Sequence, residues 1–370
     1  MGKKKKNQPV LQTSEKSSRK HLLAVIILIS AVMLAYSNSL DGTWAMDDVV
    51  ANKPVGIGDI KDIAGFRKVA SLTFSINHYL APFSPAYFRL FNILIHIFNS
   101  LLIYLLAYRT MTLMSAGAAD KKKNLPPGDE DIAFYTAFAA SMLFALHPLN
   151  INAVAYIVQR MASLAAMFVL LSLVFYITAS FSVSRLRAGI FYLFSSASLI
   201  AGILSKENAV MAMPLILLYD YIFIARFRIR PLIGKIAVLA GIGVISIGLT
   251  SYYLGFHRTF MELLKMMLNL NQPLKETGWM AVDVYWTPLQ HILTEFRVVS
   301  KYISLIFVPL PGLLVFDNWG YPLSKGIISP LTTLLSIIFI LGLLVFSVLK
   351  VRRLPLLCFG ILWFITAISL

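Results

Sequence analysis

The chain has 370 residues, 58% of them hydrophobic and 14% charged, and its formal net charge is +16. A mean hydropathy of +0.76 indicates an integral membrane protein, and no polar stretch is long enough for a soluble domain. The basic residues stand beside apolar segments, where membrane topology requires them, so the charge does not indicate nucleic-acid binding. A single cysteine, Cys358, excludes an intramolecular disulfide.

Residues 1–20 form a polar, strongly basic segment. We predict a cytoplasmic tail without regular structure, close to anionic lipid headgroups. The apolar run His21–Tyr36 that follows is either a signal-peptide core or a first membrane span. We favour an uncleaved span because no convincing small-x-small cleavage site follows it. Residues 21–370 then form one polytopic membrane domain.

Further apolar runs predict an all-α bundle with about nine spans in total. These runs are 87–108, 132–147, 161–181, 188–204, 209–225, 231–254, 328–349 and 354–370. The basic connections carry Lys121–Lys123, Arg185 and Arg187, Arg226, Arg228 and Arg230, and Lys350, Arg352 and Arg353. All of them are cytoplasmic if the N-terminus is cytoplasmic, in agreement with the positive-inside rule.

The other connections are predicted on the outer face, and the long ones are 37–86 and 255–327. The second contains the apolar stretch Ile292–Leu310. If this stretch crossed the membrane fully, every later basic connection would be placed on the opposite side of the membrane. We therefore predict a helix that lies in the interface or re-enters the membrane. Arg297 and Lys301 are four residues apart, so they share one face of this helix.

An acidic pair follows the first predicted span. The chain has only 17 acidic residues, yet Asp47 and Asp48 are adjacent in the run SNSLDGTWAMDD. Such carboxylates are ionised at neutral pH unless they are buried, and they repel each other. A catalytic or ion-binding site is one interpretation of the pair, and a solvated loop is the other.

Further polar residues fall near span ends on the same predicted face. Pro148 disfavours helical geometry at His147, which predicts a turn there. Beyond the turn, helical spacing places Asn152, Tyr156 and Arg160 on one face.

Lys206 and Glu207 separate two apolar runs at the next outer connection. Each of these polar residues also has a structural explanation. Arg160 and Lys206 could reach lipid headgroups, and Glu207 could simply pair with Lys206. His147 could be a satisfied residue at a helix end. Their convergence on one membrane face favours a functional site.

Carboxylates together with several cations suit one reaction. A carboxylate deprotonates an acceptor hydroxyl as general base, and cations stabilise a departing phosphate. In a membrane that phosphate belongs to a lipid-linked donor, so the pattern indicates sugar transfer from a polyprenyl phosphate. A transporter or lipid flippase is the rival class, although its polar residues usually lie near the midplane. The third interpretation is a noncatalytic scaffold whose acidic loop binds a partner.

Motifs in a fixed order along the chain resemble one family. The run YSNSLDGTWAMDD is similar to an opening NSF-x-(F/W)-DD, and PAYFRLFNILIHIFN is similar to P-x-x-YH-x-x-N-x-x-LH-x-x-N. ALHPLNINAVAYIVQRMASL is similar to HP-x-H-TE-x-V-x-x-x-x-x-R, and LSKENAVMAMPLILLYD is similar to LSKE followed by Pro and Tyr-Asp. The chain thus resembles the bacterial relatives of the transmembrane and tetratricopeptide-repeat O-mannosyltransferases, which have the glycosyltransferase C-type fold.

The resemblance implies an inverting transfer of mannose or a similar hexose from a polyprenyl-phosphate donor to Ser or Thr of exported proteins. It implies a bacterial inner membrane with the active site on the outer face, and Asp48 as base supported by Asp47. The donor-phosphate residues it implies are Arg160, Lys206 and His147, with Arg67 and Arg297 as weaker candidates, and the supporting residues are Glu207, Asn152 and Gln159. No metal or other cofactor is predicted, although paired carboxylates could take Mg²⁺.

The chain departs from the family pattern at several motif positions. Asn152 stands at an acidic position, Asn150 replaces the second His, and Ser163 replaces the acidic residue after the motif arginine. These changes remove carboxylates and a proton carrier, which indicates a different sugar or an altered donor pocket. The tetratricopeptide repeats usual in the family are not found in these residues. Within the enzyme class, a glycolipid or polysaccharide acceptor remains the alternative.

Overall fold

A computed structural model describes residues 8–45, 48, 67–115, 127–236, 274–277, 283–314 and 321–369. Asp47, Lys121–Lys123 and most of the predicted span 231–254 lie outside these residues. The chain divides into two compact units, Met1–Ala212 and Met213–Leu370, and each is described by itself.

The described chain is helical apart from one antiparallel hairpin. Its helices are α1 (Gln8–Tyr36), α2 (Lys68–Leu80), α3 (Pro85–Ser115), α4 (Pro127–Leu146), α5 (Ile151–Ala155), α6 (Arg160–Ser180), α7 (Arg185–Ile203), α8 (Ala212–Tyr219), α9 (Pro288–Phe307), α10 (Leu331–Lys350) and α11 (Pro355–Ile368). Strands β1 (Leu274–Thr277) and β2 (Asp283–Trp286) pair with Leu274 opposite Trp286. Single helical turns occur at Ser37–Asp41, Pro148–Asn150, Ile157–Gln159, Glu207–Met211, Asp220–Ile224 and Pro311–Leu313.

Within the described ranges, 6 helices are long and apolar enough to cross a membrane. They are Ser18–Asp41, Pro85–Ser115, Ile157–Ser180, Arg185–Ile203, Glu207–Ile224 and Leu331–Lys350, and each falls on a predicted span. The predicted span 132–147 corresponds to a helix pair bent by 49°, and 354–370 corresponds to the shorter apolar helix Pro355–Ile368. A multi-span helical membrane protein is thereby confirmed, while the full number of nine spans stays a prediction.

Helices α1 and α9 differ in their bounds from the segments predicted from the sequence. Helix α1 begins at Gln8, so it extends back into the segment assigned to the basic tail. Helix α9 contains most of the predicted interfacial stretch and is not among the candidate spans. Its start is fixed by a capping box, in which Thr287 and Gln290 each bond the other's backbone N–H.

The first unit is built around α3. One apolar cluster joins α1, α3, α4 and α5, and its buried residues are Leu28, Val32, Tyr36, Ile93, Ile97, Ala145 and Val154. A second cluster joins α2 and α3 to the start of α6, and its buried residues are Ala70, Phe74, Phe88, Ile95, Ile157 and Leu164. Because α3 contributes to both clusters, its polar residues lie between them, in the interior of the unit.

The second unit contains its own helix contacts. Phe359 of α11 packs edge-on against Tyr219 and Phe223, with ring centroids 5.6 and 5.2 Å apart. Helix α10 exposes large apolar side chains such as Leu331, Leu335 and Ile338. An exposed apolar face on a long helix is typical of contact with lipid.

Candidate functional site

The chain is irregular between α4 and α6, where the sequence motifs place several polar residues. Helix α4 ends at Leu146, and His147 is extended with φ −67° and ψ 126°, so the turn predicted before Pro148 is confirmed. Tyr156 is also extended, with φ −85° and ψ 113°. The prediction that Asn152, Tyr156 and Arg160 lie on one continuous helix is therefore wrong, because the backbone changes direction at Tyr156.

Helix α3 supplies the hydrogen-bond donors that this irregular segment needs. Carbonyl groups left without helical partners are expensive inside a membrane protein. Asn92, His96 and Asn99 share one face of α3 and are all buried. Asn92 Nδ2 lies 3.2 to 3.4 Å from the carbonyl oxygens of Val154, Tyr156 and Ile157, His96 Nε2 lies 2.9 Å from that of Ala145, and Asn99 Nδ2 lies 3.0 Å from that of Ser163.

Asp48 is attached to this segment from the loop that follows α1. Its carboxylate is fully buried. Oδ1 accepts the N–H of Val158 at 3.0 Å, and Oδ2 accepts the N–H of Ala45 at 3.2 Å. Burial raises the pKa of Asp48 above its ordinary value of 3.8, while these N–H bonds and the nearby Arg89 act in the opposite direction. The net result is a carboxylate that is held in place and is more basic than one in water.

Arg89 of α3 joins the same two segments. Its Nε donates to the carbonyl of Ala155 at 2.9 Å, and its terminal nitrogens donate to the carbonyls of Gly42 and Thr43. A Cβ at residue 42 would lie 3.0 Å from Arg89 Cζ, so a side chain there would require the guanidinium to move by a few tenths of an ångström. The motifs do not single out Arg89, although a charged residue inside a predicted span is a signal for it.

Arg160 is the largest fully buried side chain of the described residues. Its guanidinium donates to Asn92 Oδ1 at 2.8 Å, to Asn77 Oδ1 at 2.7 Å, to the Phe88 carbonyl at 2.8 Å and to the Thr73 carbonyl at 3.2 Å. All of these acceptors are neutral, so the charge is stabilised by amide dipoles and not by a carboxylate.

Aromatic rings complete the surroundings of Arg160. Its Cζ lies 4.5 Å from the ring centroid of Phe74 and 5.0 Å from that of Phe91. A side chain enclosed in this way does not reach lipid headgroups, so that structural explanation of Arg160 is wrong. A phosphate could contact the guanidinium only by displacing groups that hold α2, α3 and α6 together.

Arg67 and Glu207 form a different kind of contact. Arg67 Nη2 and Nε bind the two carboxylate oxygens of Glu207 at 2.6 and 3.1 Å, and both side chains remain 42% and 44% exposed. The carboxylate of Glu207 thus pairs with Arg67 and not with its neighbour Lys206. The Glu207 hydrogen bond raises the pKa of Arg67. Arg67 Nη1 also lies 3.4 Å from Met161 Sδ, which places the pair beside the start of α6.

Lys206 lies next to this ion pair and is half-buried. Within the described ranges its ammonium group makes no hydrogen bond or close ion pair, although the charge of Glu207 acts to raise its pKa. Burial, followed by the positive charge of Arg67, lowers the pKa of Lys206. Its ammonium group is thus the cation of this group best able to accept an added anion.

The remaining candidates are placed as follows. His147 is half-buried, and its Nδ1 accepts the N–H of Leu149 at 3.2 Å. Asn152 is exposed, and Gln159 immediately precedes α6. Arg297 belongs to the second unit, where it donates to the Pro322 carbonyl at 2.7 Å and lies over the ring of Tyr321.

A short segment, Ile157–Met161, connects most of these groups in the first unit. Val158 binds Asp48, Arg160 fills the interior, and Met161 contacts Arg67. Residues three apart on a helical turn lie about 5–6 Å from each other. The structure therefore brings Asp48 and the Arg67–Glu207–Lys206 group to one short segment. No cluster of His, Cys, Asp and Glu side chains that could hold a metal occurs in the described parts of the chain.

Taken together, fold and site define a multi-span helical membrane protein with a buried acid and several cations at a broken helix. No family model matches the chain, and no solved structure matches it. Over 354 residues it is 23% identical to Protein O-mannosyl-transferase F38B6.6 of Caenorhabditis elegans. The alignment covers 90% of this chain and 44% of that protein. It is 27% identical over 240 residues to Protein O-mannosyl-transferase TMTC4 of Homo sapiens, covering 58% of this chain and 31% of that protein.

A third relative is Protein O-mannosyl-transferase TMTC1 of Homo sapiens, 28% identical over 174 residues, with 41% of this chain and 18% of that protein covered. The chain spans less than half the length of these relatives. These identities support a distant relationship to the protein O-mannosyl-transferases.

Proposed function

We propose that this chain transfers mannose or a similar hexose from a polyprenyl-phosphate donor to a hydroxyl group, and that the acceptor is Ser or Thr of an exported protein. The observation that carries the proposal is the placement of Asp48. A buried carboxylate, fixed by two backbone N–H groups, shares a short segment with a group of half-exposed cations. Distant relatives named as protein O-mannosyl-transferases support the reaction class.

The proposed step is a single displacement that inverts the anomeric carbon. The acceptor oxygen attacks that carbon and its proton passes to a carboxylate, while the bond from the carbon to the phosphate oxygen breaks. Asp48 is the first choice as base, with Asp47 beside it in the sequence. The Asp48 oxygens accept the N–H groups of Val158 and Ala45, and the N–H of Ile157 also stabilises the carboxylate, so the incoming proton would use a lone pair that these bonds leave open. A raised pKa makes a carboxylate a stronger base.

The departing lipid phosphate is assigned to Lys206 and Arg67. Among the described residues, none forms a hydrogen bond with the Lys206 ammonium, and Arg67 keeps part of its guanidinium exposed although Glu207 competes for it. His147, in the same unit, remains a candidate for the same role. Arg160 is better assigned to holding the segment Ile157–Met161 in place, because its side chain is fully buried and four of its five N–H donors bind protein oxygens.

The membrane setting completes the proposal. A glycosyltransferase C-type bundle with about nine spans, a cytoplasmic N-terminus and a site on the outer face of a bacterial inner membrane follows from the charge distribution and the motif resemblance. The distribution of basic residues supports the orientation, since all basic connections named above fall on one predicted side.

The test is a transfer assay with purified protein, a polyprenyl-phosphate mannose donor and Ser- or Thr-containing peptides. Asp48→Asn and Asp47→Asn are compared with the exposed control Asp41→Asn at equal amounts of folded protein. We expect at least one of the first two to lose about 10²–10⁴-fold in rate, the size of a general-base contribution. Full activity in both would exclude the acidic pair from the chemistry.

A further inference from the structure

A basic surface in the second unit consists of exposed side chains from two connections. It comprises Arg226, Arg228 and Arg230 after the turn Asp220–Ile224, and Lys350, Arg352 and Arg353 between α10 and α11. One connection follows the candidate span that ends at Ile224, and the other follows the candidate span that ends at Lys350. Both connections therefore lie where the chain leaves the apolar layer.

The two connections are in direct contact. Arg352 Cζ lies 5.7 Å from the ring centroid of Phe227. The ring of Phe227 packs edge-on against that of Tyr221, with centroids 5.5 Å apart. The backbone N–H of Phe227 donates to the Tyr221 carbonyl at 2.7 Å. The cations are thus gathered onto one surface by packing, and not merely assigned to the same predicted side of the membrane.

The backbone beneath this surface is strained. Arg226 and Phe227 are consecutive non-glycine residues with positive φ, 48° and 65°. Such conformations persist only where surrounding contacts determine them, and they cluster at binding sites. Here they turn Phe227 toward Arg352.

Five of the six cations of this surface have no acidic partner within the described ranges. Arg228, Arg230, Lys350, Arg352 and Arg353 have no ion pair with any acidic residue of the described ranges. Like charges brought together in this way repel each other unless an anion lies between them. The backbone N–H groups at the start of α11, a 14-residue helix, add to the positive potential beside Arg352 and Arg353.

We propose that this surface is a binding site for the phosphate groups of anionic phospholipids at the membrane face where α10 ends. Charge complementarity and position both select this occupant, because headgroup phosphates are the anions fixed at that depth of the membrane. Exposed apolar side chains near the end of α10, such as Val345, Val348 and Leu349, give the acyl chains a surface to follow.

The test is native mass spectrometry of the whole chain released from nanodiscs that contain equal amounts of phosphatidylglycerol and phosphatidylcholine. The wild-type protein should retain phosphatidylglycerol preferentially. Arg228→Gln with Arg352→Gln should weaken this retention by about fivefold per charge removed, since each basic residue near a membrane contributes roughly 1 kcal/mol. The matched control is Arg185→Gln with Arg187→Gln, which removes the same charge from an exposed basic connection in the first unit.

Equal loss in the two pairs would overturn the proposal, because general attraction between basic loops and anionic lipid would then explain the retention. A second variant, Phe227→Leu, keeps every charge and so leaves the determinants of membrane orientation intact. It should reduce the phosphatidylglycerol preference by about twofold or more, as expected for loss of a cation–π contact of about 0.5–1 kcal/mol. An unchanged preference in Phe227→Leu would contradict a built headgroup site.

Discussion

Arg160 and Arg67 are both arginines beside the same short segment, but their surroundings are opposite. Arg160 is fully enclosed and binds only neutral oxygens, whereas Arg67 is half-exposed and binds a carboxylate. In the first case every acceptor belongs to a helix that the guanidinium holds in place. In the second, solvent and ligands can compete with the protein for the charge. The difference indicates that one arginine supports the site and the other, with Lys206, is available to a substrate.

The largest expected effect is on stability at Arg160. Arg160→Ala leaves the oxygens of Asn77, Asn92, Thr73 and Phe88 without a donor and creates a cavity. We expect a loss of roughly 3–5 kcal/mol in the free energy of unfolding. Thermal unfolding in detergent measures it, and Arg160→Lys should rescue little because an ammonium lacks the planar fork. A stable Arg160→Ala protein that has lost only donor binding would reverse the comparison.

Substitution of the half-exposed cations Arg67 and Lys206 should weaken donor binding and leave stability nearly unchanged. Arg67→Ala and Lys206→Ala should each weaken the binding of a polyprenyl-phosphate sugar about 10-fold, as for loss of a charge-assisted hydrogen bond. The unfolding free energy should change by less than about 1 kcal/mol, because an exposed ion pair contributes little. Donor titration by quenching of intrinsic fluorescence measures the first quantity. Arg109→Ala, a change elsewhere on α3, is the control, and unchanged affinity in both variants would remove these cations from the donor site.

Arg89 gives a smaller effect, visible in a pH profile. Its positive charge lowers the pKa of Asp48, so Arg89→Gln should raise that pKa. A base works only when ionised, and the acidic limb of kcat/KM should therefore move to higher pH in the variant. A merely structural defect would lower the rate at every pH without moving the limb. Arg89→Lys should leave the limb near its wild-type position because the charge is retained.

The smallest effect concerns Asp48 and stability. Burial raises its pKa in the folded state, so the protonated form is favoured by folding. The corresponding stabilisation is complete below the ordinary value of 3.8 and is lost as the pH rises through the folded-state pKa. Relative to the wild type, Asp48→Asn should become more stable as the pH increases from about 4 to 7. Unfolding curves at both pH values measure the difference, and a difference that does not change with pH would contradict the burial effect.

Local signals in the sequence predicted the parts of the fold that depend on local physics. Hydropathy placed the spans, and Pro148 was sufficient to predict the turn at His147. The extended residue Tyr156 had no such signal, since neither Gly nor Pro is next to it. Its conformation depends on donors from Asn92, 62 to 65 residues distant from the carbonyls they bind.

The same reason explains why the role of Arg160 could not be predicted. A sequence shows that an arginine lies at the end of an apolar run, but not whether lipid headgroups or amide oxygens will surround it. Asn77 and Asn92 decide the matter, and they come from other helices. The acceptors of Arg89 are backbone carbonyls, which every sequence contains, so its partners could not be predicted either.

Gly42 and Arg89 are 47 positions apart along the chain, yet the side chain of Arg89 limits the space for a side chain at residue 42. Their evolution should therefore be linked. A relative that carries a shorter residue in place of Arg89 should tolerate a side chain in place of Gly42 more readily than a relative that keeps the arginine. A survey of paired substitutions across related chains would register this contact as covariation between the loop after α1 and α3.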